Sequence, residues 1–309
     1  AIAVHGGAGT LRAERVEYPG RREYDAAVSR ALRAGRTCLL DGGSAIEAVV
    51  AAVVVFEDHE SFNAGRGAAL CRDGQAELSA SIMDGATGRA GAIVGATRVR
   101  NPIRAAEALL PHVHGLLFGR AADEYAEANG LELVARDYFV TEHRRAQWQR
   151  HRQRGDVVRD HSDEEDRRET VGAVALDARG HLAAATSTGG LVNQLSGRVG
   201  DTPIVGAGTW ADSRIAISAT GDGDAMARVV FARRVADLVE LAGLAPIDAA
   251  HRALRETAAF GGDGGCVLVT ADGRVAMPRN SKHMVRGTVS GAGPFRVAIA
   301  DDEIELTDR

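Results

Sequence analysis

Residues 169–177 have the sequence ETVGAVALD, in which a threonine begins an apolar run. Small and β-branched residues over this length predict a buried strand from Thr170 to Leu176. The preceding segment differs, because residues 141–169 contain eight arginines and eight acidic residues but only four apolar residues. Such a segment cannot form a core, so we expect a mobile linker over about 141–169, with a solvated helix as an alternative for its first part.

A threonine at the junction of a linker and a strand indicates a particular chemistry. Its hydroxyl is a poor nucleophile unless a base lies beside it. If the chain is cut before Thr170, the α-amine of the same residue can act as that base. The alternative is a loop followed by an ordinary β-branched strand residue, and the pattern by itself favours that alternative.

Strand and helix patterns alternate along the rest of the chain. Predicted strands cover residues 1–5, 77–83, 91–99, 170–176, 181–187, 214–220, 266–270 and 274–277, the first ending at the glycine cluster 6–9. Predicted helices cover residues 23–40, 44–57, 102–112, a segment ending near 129, 224–241 and 247–259. Because the helices occur in pairs between antiparallel hairpins, the order favours layers of helix and sheet over a parallel βαβ repeat.

The predicted helix at residues 44–57 has a marked start and an unusual composition. Ser44 and Glu47 have the spacing of a capping box. The residues after them are apolar nearly all round, which is typical of a helix buried between layers.

The composition excludes several classes of partner. The 309-residue chain has a net charge of -5, which offers no electrostatic attraction to nucleic acid or an anionic membrane. The longest apolar stretch, residues 48–56, is too short to span a bilayer, and residues 1–5 resemble a core strand more than a signal peptide. Three cysteines without metal-ligand spacing favour reduced thiols. We therefore expect a cytoplasmic protein that binds neither nucleic acid nor membrane.

Seven short motifs together resemble the plant-type L-asparaginase/isoaspartyl peptidase family. They are HGGAG (5–9), FNAG (62–65), SIMDG (81–85), TVGAVALD (170–177), ATSTGG (185–190), GRVGD (197–201) and TGDG (220–223). The resemblance implies one N-terminal-nucleophile (Ntn) hydrolase domain over 1–309, of class α+β, built as a four-layer αββα sandwich. It also implies self-cleavage into an α subunit, 1–169, and a β subunit, 170–309, which stay together and form a homodimer of αβ units.

The resemblance also assigns catalytic roles. It implies that Thr170 is the nucleophile and that Thr188 orients and helps to activate its hydroxyl. The Thr220 side chain and the Gly221 backbone N–H are implied to form the oxyanion hole, while Asn63 bonds the surroundings of the nucleophile. Two fixed donors would meet the charge that develops on the amide oxygen without reorganising.

Substrate binding is implied for a glycine-rich loop. Arg198 and Asp201 are expected to hold the substrate's α-carboxylate and α-amine, and Gly223 is expected to add a carbonyl to that amine. A zwitterion needs one positive and one negative partner, which this pair supplies. The alternative for Arg198 and Asp201 is a surface ion pair.

The resemblance implies no cofactor for catalysis but a structural sodium ion. Its ligands would be the backbone carbonyls of Phe56, Glu57, His59, Phe62, Ala64 and Arg66. Glu169 stands where the family has Gly or Asp. Because glycine tolerates strained backbone at a cleavage site, Glu169 leaves the rate of cleavage between Glu169 and Thr170 open.

These residues predict an amidohydrolase that releases ammonia from L-asparagine and cleaves β-aspartyl dipeptides through a β-aspartyl-threonyl ester. One alternative is a glycosylasparaginase-like amidase, whose glycosylated substrate suits secreted or lysosomal proteins. The other is an inactive scaffold that is never cut before Thr170, and Glu169 is the residue that supports it. The preference between asparagine and dipeptides is not encoded in these motifs.

Overall fold

The computed structural model describes residues 1–11, 16–17, 20–157, 170–301 and 303–306. Thirteen strands within these ranges form one sheet of nine strands and one of four. Their bounds are β1 Ile2–Gly9, β2 Leu78–Asp84, β3 Ala90–Ala96, β4 Leu116–Phe118, β5 Val171–Leu176, β6 Leu182–Thr188, β7 Thr209–Ala211, β8 Ile215–Gly221, β9 Gly264–Thr270, β10 Val275–Ala276, β11 His283–Val289, β12 Phe295–Ala298 and β13 Glu303–Leu306.

The order of the strands places Thr170 near the middle of the large sheet. That sheet runs β13-β12-β11-β1-β5-β6-β2-β3-β4, and the small sheet runs β10-β9-β8-β7. The pairs are antiparallel except β3 with β4, as the predicted hairpins indicated. Val171 pairs with Ser187, so Thr170 at the start of β5 lies beside Thr188 at the end of β6.

Eight α-helices complete the described ranges. They are α1 Arg21–Leu40, α2 Ala45–Glu57, α3 Pro102–Ala108, α4 Arg120–Ala128, α5 Glu142–Arg154, α6 Gly223–Val229, α7 Phe231–Glu240 and α8 Pro246–Ala258. The capping box at Ser44 and Glu47 is confirmed, and α2 packs on β5 and β6. Within the described ranges, no helix combines the length and apolar composition that crossing a bilayer requires.

The core has three parts because the central strands bury both faces. Val171, Ala173 and Ala175 of β5 pack with α1, α2 and α3. Val174, on the other face, packs between the two sheets, since successive side chains of a strand point to opposite faces. A third cluster joins the small sheet to α7 and α8. The chain is therefore a mixed α+β protein in which a large mixed sheet is flanked by helices.

The structure differs from the sequence predictions in several elements of the fold. The helix predicted over 102–112 ends at Ala108, and strands β4, β7, β11, β12 and β13 were not predicted. Strand β1 does not end at the glycine cluster but continues to Gly9, with an irregularity after His5 that the positive φ of Gly7 (108°) accommodates. The helix predicted over 224–241 is two helices, because Val230 has a left-handed conformation (φ 51°, ψ 54°) that ends α6.

The segment predicted as a linker begins with a helix that is only partly solvated. Helix α5 buries Arg144, Gln147 and His151 on one face. Its polar side chains are buried because they find hydrogen-bond partners elsewhere in the chain. Residues 158–169, including Glu169 and the predicted cleavage site, lie outside the described residues, so the linker and the cleavage remain predictions.

Candidate active site

Thr170 lies in a pocket of hydroxyl groups. Its side chain donates a hydrogen bond to Thr188 Oγ1 at 3.1 Å and lies 3.4 Å from Thr202 Oγ1. The residue is 6% exposed, so bulk water has little access to it in this conformation. The pairing of β5 with β6 thus brings together two residues that lie 18 positions apart in the sequence.

Asn63 fixes the turn that follows Thr188. Its Nδ2 donates to the carbonyl of Gly190 at 2.6 Å, and the Gly190 N–H donates to Thr188 Oγ1 at 3.0 Å. The Asn63 carbonyl accepts from the N–H of Gly189 at 3.0 Å. Asn63 is therefore connected to Thr170 through Thr188.

His5 holds the backbone of Thr170 from the opposite side. A carbonyl only accepts, so His5 Nδ1 carries the proton that is donated to the Thr170 carbonyl at 3.0 Å. His5 Nε2 then accepts from Ser218 Oγ at 2.8 Å. Burial lowers the pKa of His5 to about 3, which keeps the ring neutral. Gly172 leaves room for this pair, because a Cβ there would collide with Ser218.

Thr220 and Gly221 end strand β8 on the facing sheet. Thr220 is fully buried, and its Oγ1 accepts a hydrogen bond from the N–H of Ala8 at 3.1 Å. Its own proton is therefore not used in this contact. Gly221 has φ 143°, a conformation that favours glycine. Among the described residues, Thr220 makes no hydrogen bond to Thr170, and the two are related through the packing of β8 on β5.

Arg198, Asp201 and Gly223 lie together. A Cβ on Gly223 would lie 2.6 Å from Asp201 Oδ1 and 3.2 Å from Arg198 Nη2. Within the described part of the chain, Asp201 Oδ2 and Arg198 Nε are buried without hydrogen-bond partners. Burial raises the pKa of Asp201 to about 6, and Arg198 opposes this rise. The cluster offers an acceptor and a donor to a ligand that carries both charges.

The alternative of a surface ion pair between Arg198 and Asp201 is wrong. Asp201 is 3% exposed, and Arg198 Nη2 instead pairs with Asp224 Oδ2 at 2.9 Å. The partner of Arg198 in an ion pair is therefore Asp224, an exposed residue in the first turn of α6.

Four residues of the site were not assigned contacts from the sequence. They are Thr202, His5, Ser218 and Asp224. Thr202 directly follows Asp201, and its hydroxyl links the loop of Arg198 and Asp201 to Thr170. Its position after the GRVGD motif was the available signal, whereas the contact of Ser218 with His5 depends on how the two sheets face each other.

The predicted sodium ligands begin at the end of α2, with Phe56 and Glu57, and continue through the tight coil after it to Arg66. The carbonyls of Phe56, His59 and Ala64 each accept a backbone N–H. A Cβ on Gly65 would collide with the carbonyl of Glu57, and one on Gly67 with that of Phe62. The carbonyls of Glu57 and Phe62 thus lie close to the backbone of Gly65 and Gly67. Among the described residues, no cluster of three His, Cys, Asp or Glu side chains could hold a metal ion.

Comparisons with known proteins show extensive similarity. A family model described as Asparaginase (Asparaginase_2) matches residues 1–299. The chain is 42% identical to proteins named isoaspartyl peptidase from Salmonella typhimurium and Escherichia coli over 294 residues, 92% of the chain and 93% and 91% of those proteins. It is 38% identical over 306 residues to a protein named plant-type L-asparaginase from Pyrococcus abyssi, 92% of the chain and 94% of that protein.

Proposed function

The chain belongs to the Asparaginase_2 family of asparaginases, and from this premise we propose that Thr170 is its catalytic nucleophile. The protein is an isoaspartyl peptidase/L-asparaginase, acting on L-asparagine and β-aspartyl dipeptides. The assignment of Thr170, which directly precedes β5, rests on one observation. Its hydroxyl donates a 3.1 Å hydrogen bond to Thr188, the last residue of β6.

In the proposed mechanism, cleavage before Thr170 first frees its α-amine. The Thr170 hydroxyl then attacks the side-chain carbonyl of the substrate while this amine takes its proton. The amine returns the proton to the leaving nitrogen, so that ammonia or an amino acid departs and a β-aspartyl ester remains on Thr170. Water then hydrolyses the ester and releases aspartate.

We propose that Thr220 and Gly221 stabilise the oxyanion. Thr220 Oγ1 already accepts from Ala8, so its proton is available to donate to the developing charge. Donors that are fixed before the reaction stabilise the transition state without a cost of reorganisation. Thr188 and Asn63 have positioning roles in this proposal, because they hold the hydroxyl of Thr170 and the turn beside it.

Arg198 and Asp201 would bind the two charged groups that the substrates have in common, the α-carboxylate and the α-amine. Arg198 would hold the α-carboxylate, and Asp201, together with the carbonyl of Gly223, would hold the α-amine. The vacant buried oxygen of Asp201 supports this role, because an ammonium group would supply the missing donor.

The finer fold assignment is a four-layer αββα sandwich of the Ntn-hydrolase type. The three clusters of the core support it, since helices cover the outer faces of two sheets that pack on each other. We also propose the homodimer of αβ units, which sedimentation in solution tests. The cytoplasmic location remains a prediction from composition.

We propose that the coil of residues 56–66 holds sodium through the carbonyls of Phe56, Glu57, His59, Phe62, Ala64 and Arg66. The crowding of carbonyl groups around Gly65 and Gly67 supports the proposal, because a hard cation takes oxygen ligands. The ion would have a structural role. A rise in the melting midpoint with sodium chloride, but not with choline chloride, is the expected result.

The intact mass under denaturing conditions tests the nucleophile. Cleavage of the 32.4 kDa chain predicts pieces of about 18 and about 15 kDa, the smaller beginning at Thr170. Thr170→Ala should remain whole and release no aspartate from asparagine or a β-aspartyl dipeptide, while Thr170→Ser should retain partial cleavage. A whole wild-type chain would support the scaffold alternative. Faster hydrolysis of a glycosylated asparagine would support the glycosylasparaginase-like alternative.

A further inference from the structure

Helix α5 carries a buried arginine into the surroundings of the site. Thr141 caps the helix by accepting from the N–H of Arg144 at 3.2 Å, and Gly155 ends it with φ 72°. Arg144 is 1% exposed although it belongs to a segment with many charges. A buried guanidinium needs hydrogen-bond partners, and these partners show which segments of the chain the helix contacts.

Arg144 grips the coil that follows Asn63. Its Nε donates to the carbonyl of Gly67 at 2.6 Å, and its Nη1 donates to Gln147 Oε1 at 2.9 Å. Gly67 ends the short 3-10 turn Gly65–Gly67. Two residues later, the N–H of Ala69 donates to Asn63 Oδ1 at 2.7 Å. Arg144 and Asn63 therefore bond to the same short segment, at Gly67 and Ala69.

That coil leads directly to the nucleophile. Asn63 holds the carbonyl of Gly190, whose N–H holds Thr188 Oγ1. Thr188 accepts the hydrogen bond of the Thr170 hydroxyl. Hydrogen bonds and short stretches of backbone thus connect a helix outside the seven motifs to the hydroxyl of Thr170.

Helix α5 and the residues just after it also contact the segment that follows Gly190. Trp148 packs on Ala69 and Val192, one residue from each segment. Beyond the helix, the carbonyl of Asp156 accepts from Asn193 Nδ2 at 2.6 Å. The Asp156 side chain contacts His151 Nδ1 at 2.9 Å. Helix α5 therefore bridges the two segments, 63–75 and 189–194, that flank Thr188.

We propose that Arg144 is a positioning residue for hydrolysis, which acts through the coil of Asn63 on Thr188 and Thr170. The inference rests on the proposed role of Thr170. It also assigns residues 142–157 to the folded body of the α segment.

Three variants test the proposal on the cleaved enzyme. Arg144→Met should lower kcat about tenfold on a β-aspartyl dipeptide, because small misplacements of reacting groups have effects of this size or larger. KM should change less than about twofold, since the contacts of Arg198 and Asp201 remain. Arg144→Lys should fall between wild type and Arg144→Met. Arg145→Met, on the exposed face of α5, should match wild type. Each kcat is expressed per mole of cleaved chain, as counted by intact mass.

Hydrogen exchange separates positioning from a general loss of structure. Arg144→Met should raise amide exchange in peptides that cover residues 63–70 and 188–194, with strands β8 and β9 unchanged. A wild-type kcat in Arg144→Met would overturn the proposal, as would exchange raised throughout the chain. If Arg144→Met does not fold, Arg144→Lys decides on both measurements. If the wild-type protein hydrolyses neither substrate, the proposed function fails. If wild type is active and Arg144→Met keeps its kcat, only the role of Arg144 fails.

Discussion

Helices α2 and α5 have thirteen residues each and support the same site, but they are buried by different means. Helix α2 packs its valines, alanines and Phe56 across β5 and β6. Helix α5 has only one alanine and one tryptophan as apolar residues, and it buries Arg144, Gln147 and His151. Apolar burial is nondirectional and grows with area, whereas each buried polar group needs a partner in a specific position.

This difference determines for which of the two helices burial can be predicted from the sequence. The burial of α2 is visible in its own composition, because any apolar surface can cover it. The burial of Arg144 depends on the Gly67 carbonyl, which lies 77 residues away in the chain. A polar segment is thus not necessarily a solvated one.

The largest expected effect is on stability and concerns α2. Phe56 is fully buried and its ring centroid lies 4.7 Å from that of Phe62. Phe56→Ala should lower the free energy of unfolding by about 3–5 kcal/mol through lost transfer energy and a cavity. Urea unfolding in a Thr170→Ala background, where one chain is expected, measures it. Leu40→Ala, at an exposed leucine, should stay within about 0.5 kcal/mol. Equal losses would contradict the view that α2 is held by apolar packing.

The second prediction contrasts two buried charged residues. The guanidinium of Arg144 has hydrogen-bond partners, whereas Oδ2 of Asp201 accepts no hydrogen bond from the described residues. With a pKa of about 6, Asp201 gains a proton as the pH falls below 6 and no longer attracts an ammonium group. The value of kcat/KM should then fall about tenfold per pH unit.

The comparison of kcat with kcat/KM isolates this carboxyl. Bound substrate places a positive charge beside Asp201 and lowers its pKa, so kcat should decline only at lower pH. The α-amine of Thr170 would affect both quantities. Asp224→Asn should keep the decline near pH 6. Identical pH profiles of kcat and kcat/KM would contradict the assignment to Asp201.

Much of the fold was predictable because its elements bury apolar residues with regular periods. The strand after Thr170 and the capped helix α2 are confirmed. The extension of β1 through Gly7 was not predictable from propensity, because its pairing with β11 lies far away in sequence. The break at Val230 was missed for a related reason. Its left-handed backbone is held by bonds from the first turn of α7 to the carbonyls of Gly206 and Ala207.

The site was predictable where residues lie in motifs and not where it depends on facing surfaces. Thr170 and Thr188 are in contact, which fits the pairing that the resemblance implied, while their catalytic roles stay a prediction. The hydroxyl of Thr202 and the contact between His5 and Ser218 arise where loops and sheets meet. No local period marks such contacts, because they join residues from distant parts of the chain.

The third prediction concerns the stability of α5. Arg144→Met leaves the carbonyl of Gly67 and Gln147 Oε1 without this donor, so the free energy of unfolding should fall by about 1–3 kcal/mol. The same urea titration measures it, with Arg145→Met as the exposed control. A loss as large as that of Phe56→Ala would mean that the two helices contribute similarly to the core. No loss would mean that the polar contacts of α5 are energetically neutral.

The smallest expected effects are at the two helix caps, and they separate stability from catalysis. Ser44→Ala removes the capping box of α2, and Thr141→Ala removes the bond to the N–H of Arg144. Each should lower the free energy of unfolding by about 1 kcal/mol. Only Thr141→Ala should lower kcat, by about twofold, because fraying of the first turn of α5 displaces Arg144. Thr141→Ser, which keeps the cap, should restore both quantities. If Ser44→Ala lowers kcat as much as Thr141→Ala, the effect on catalysis follows general stability, and α5 has no positioning role that α2 lacks.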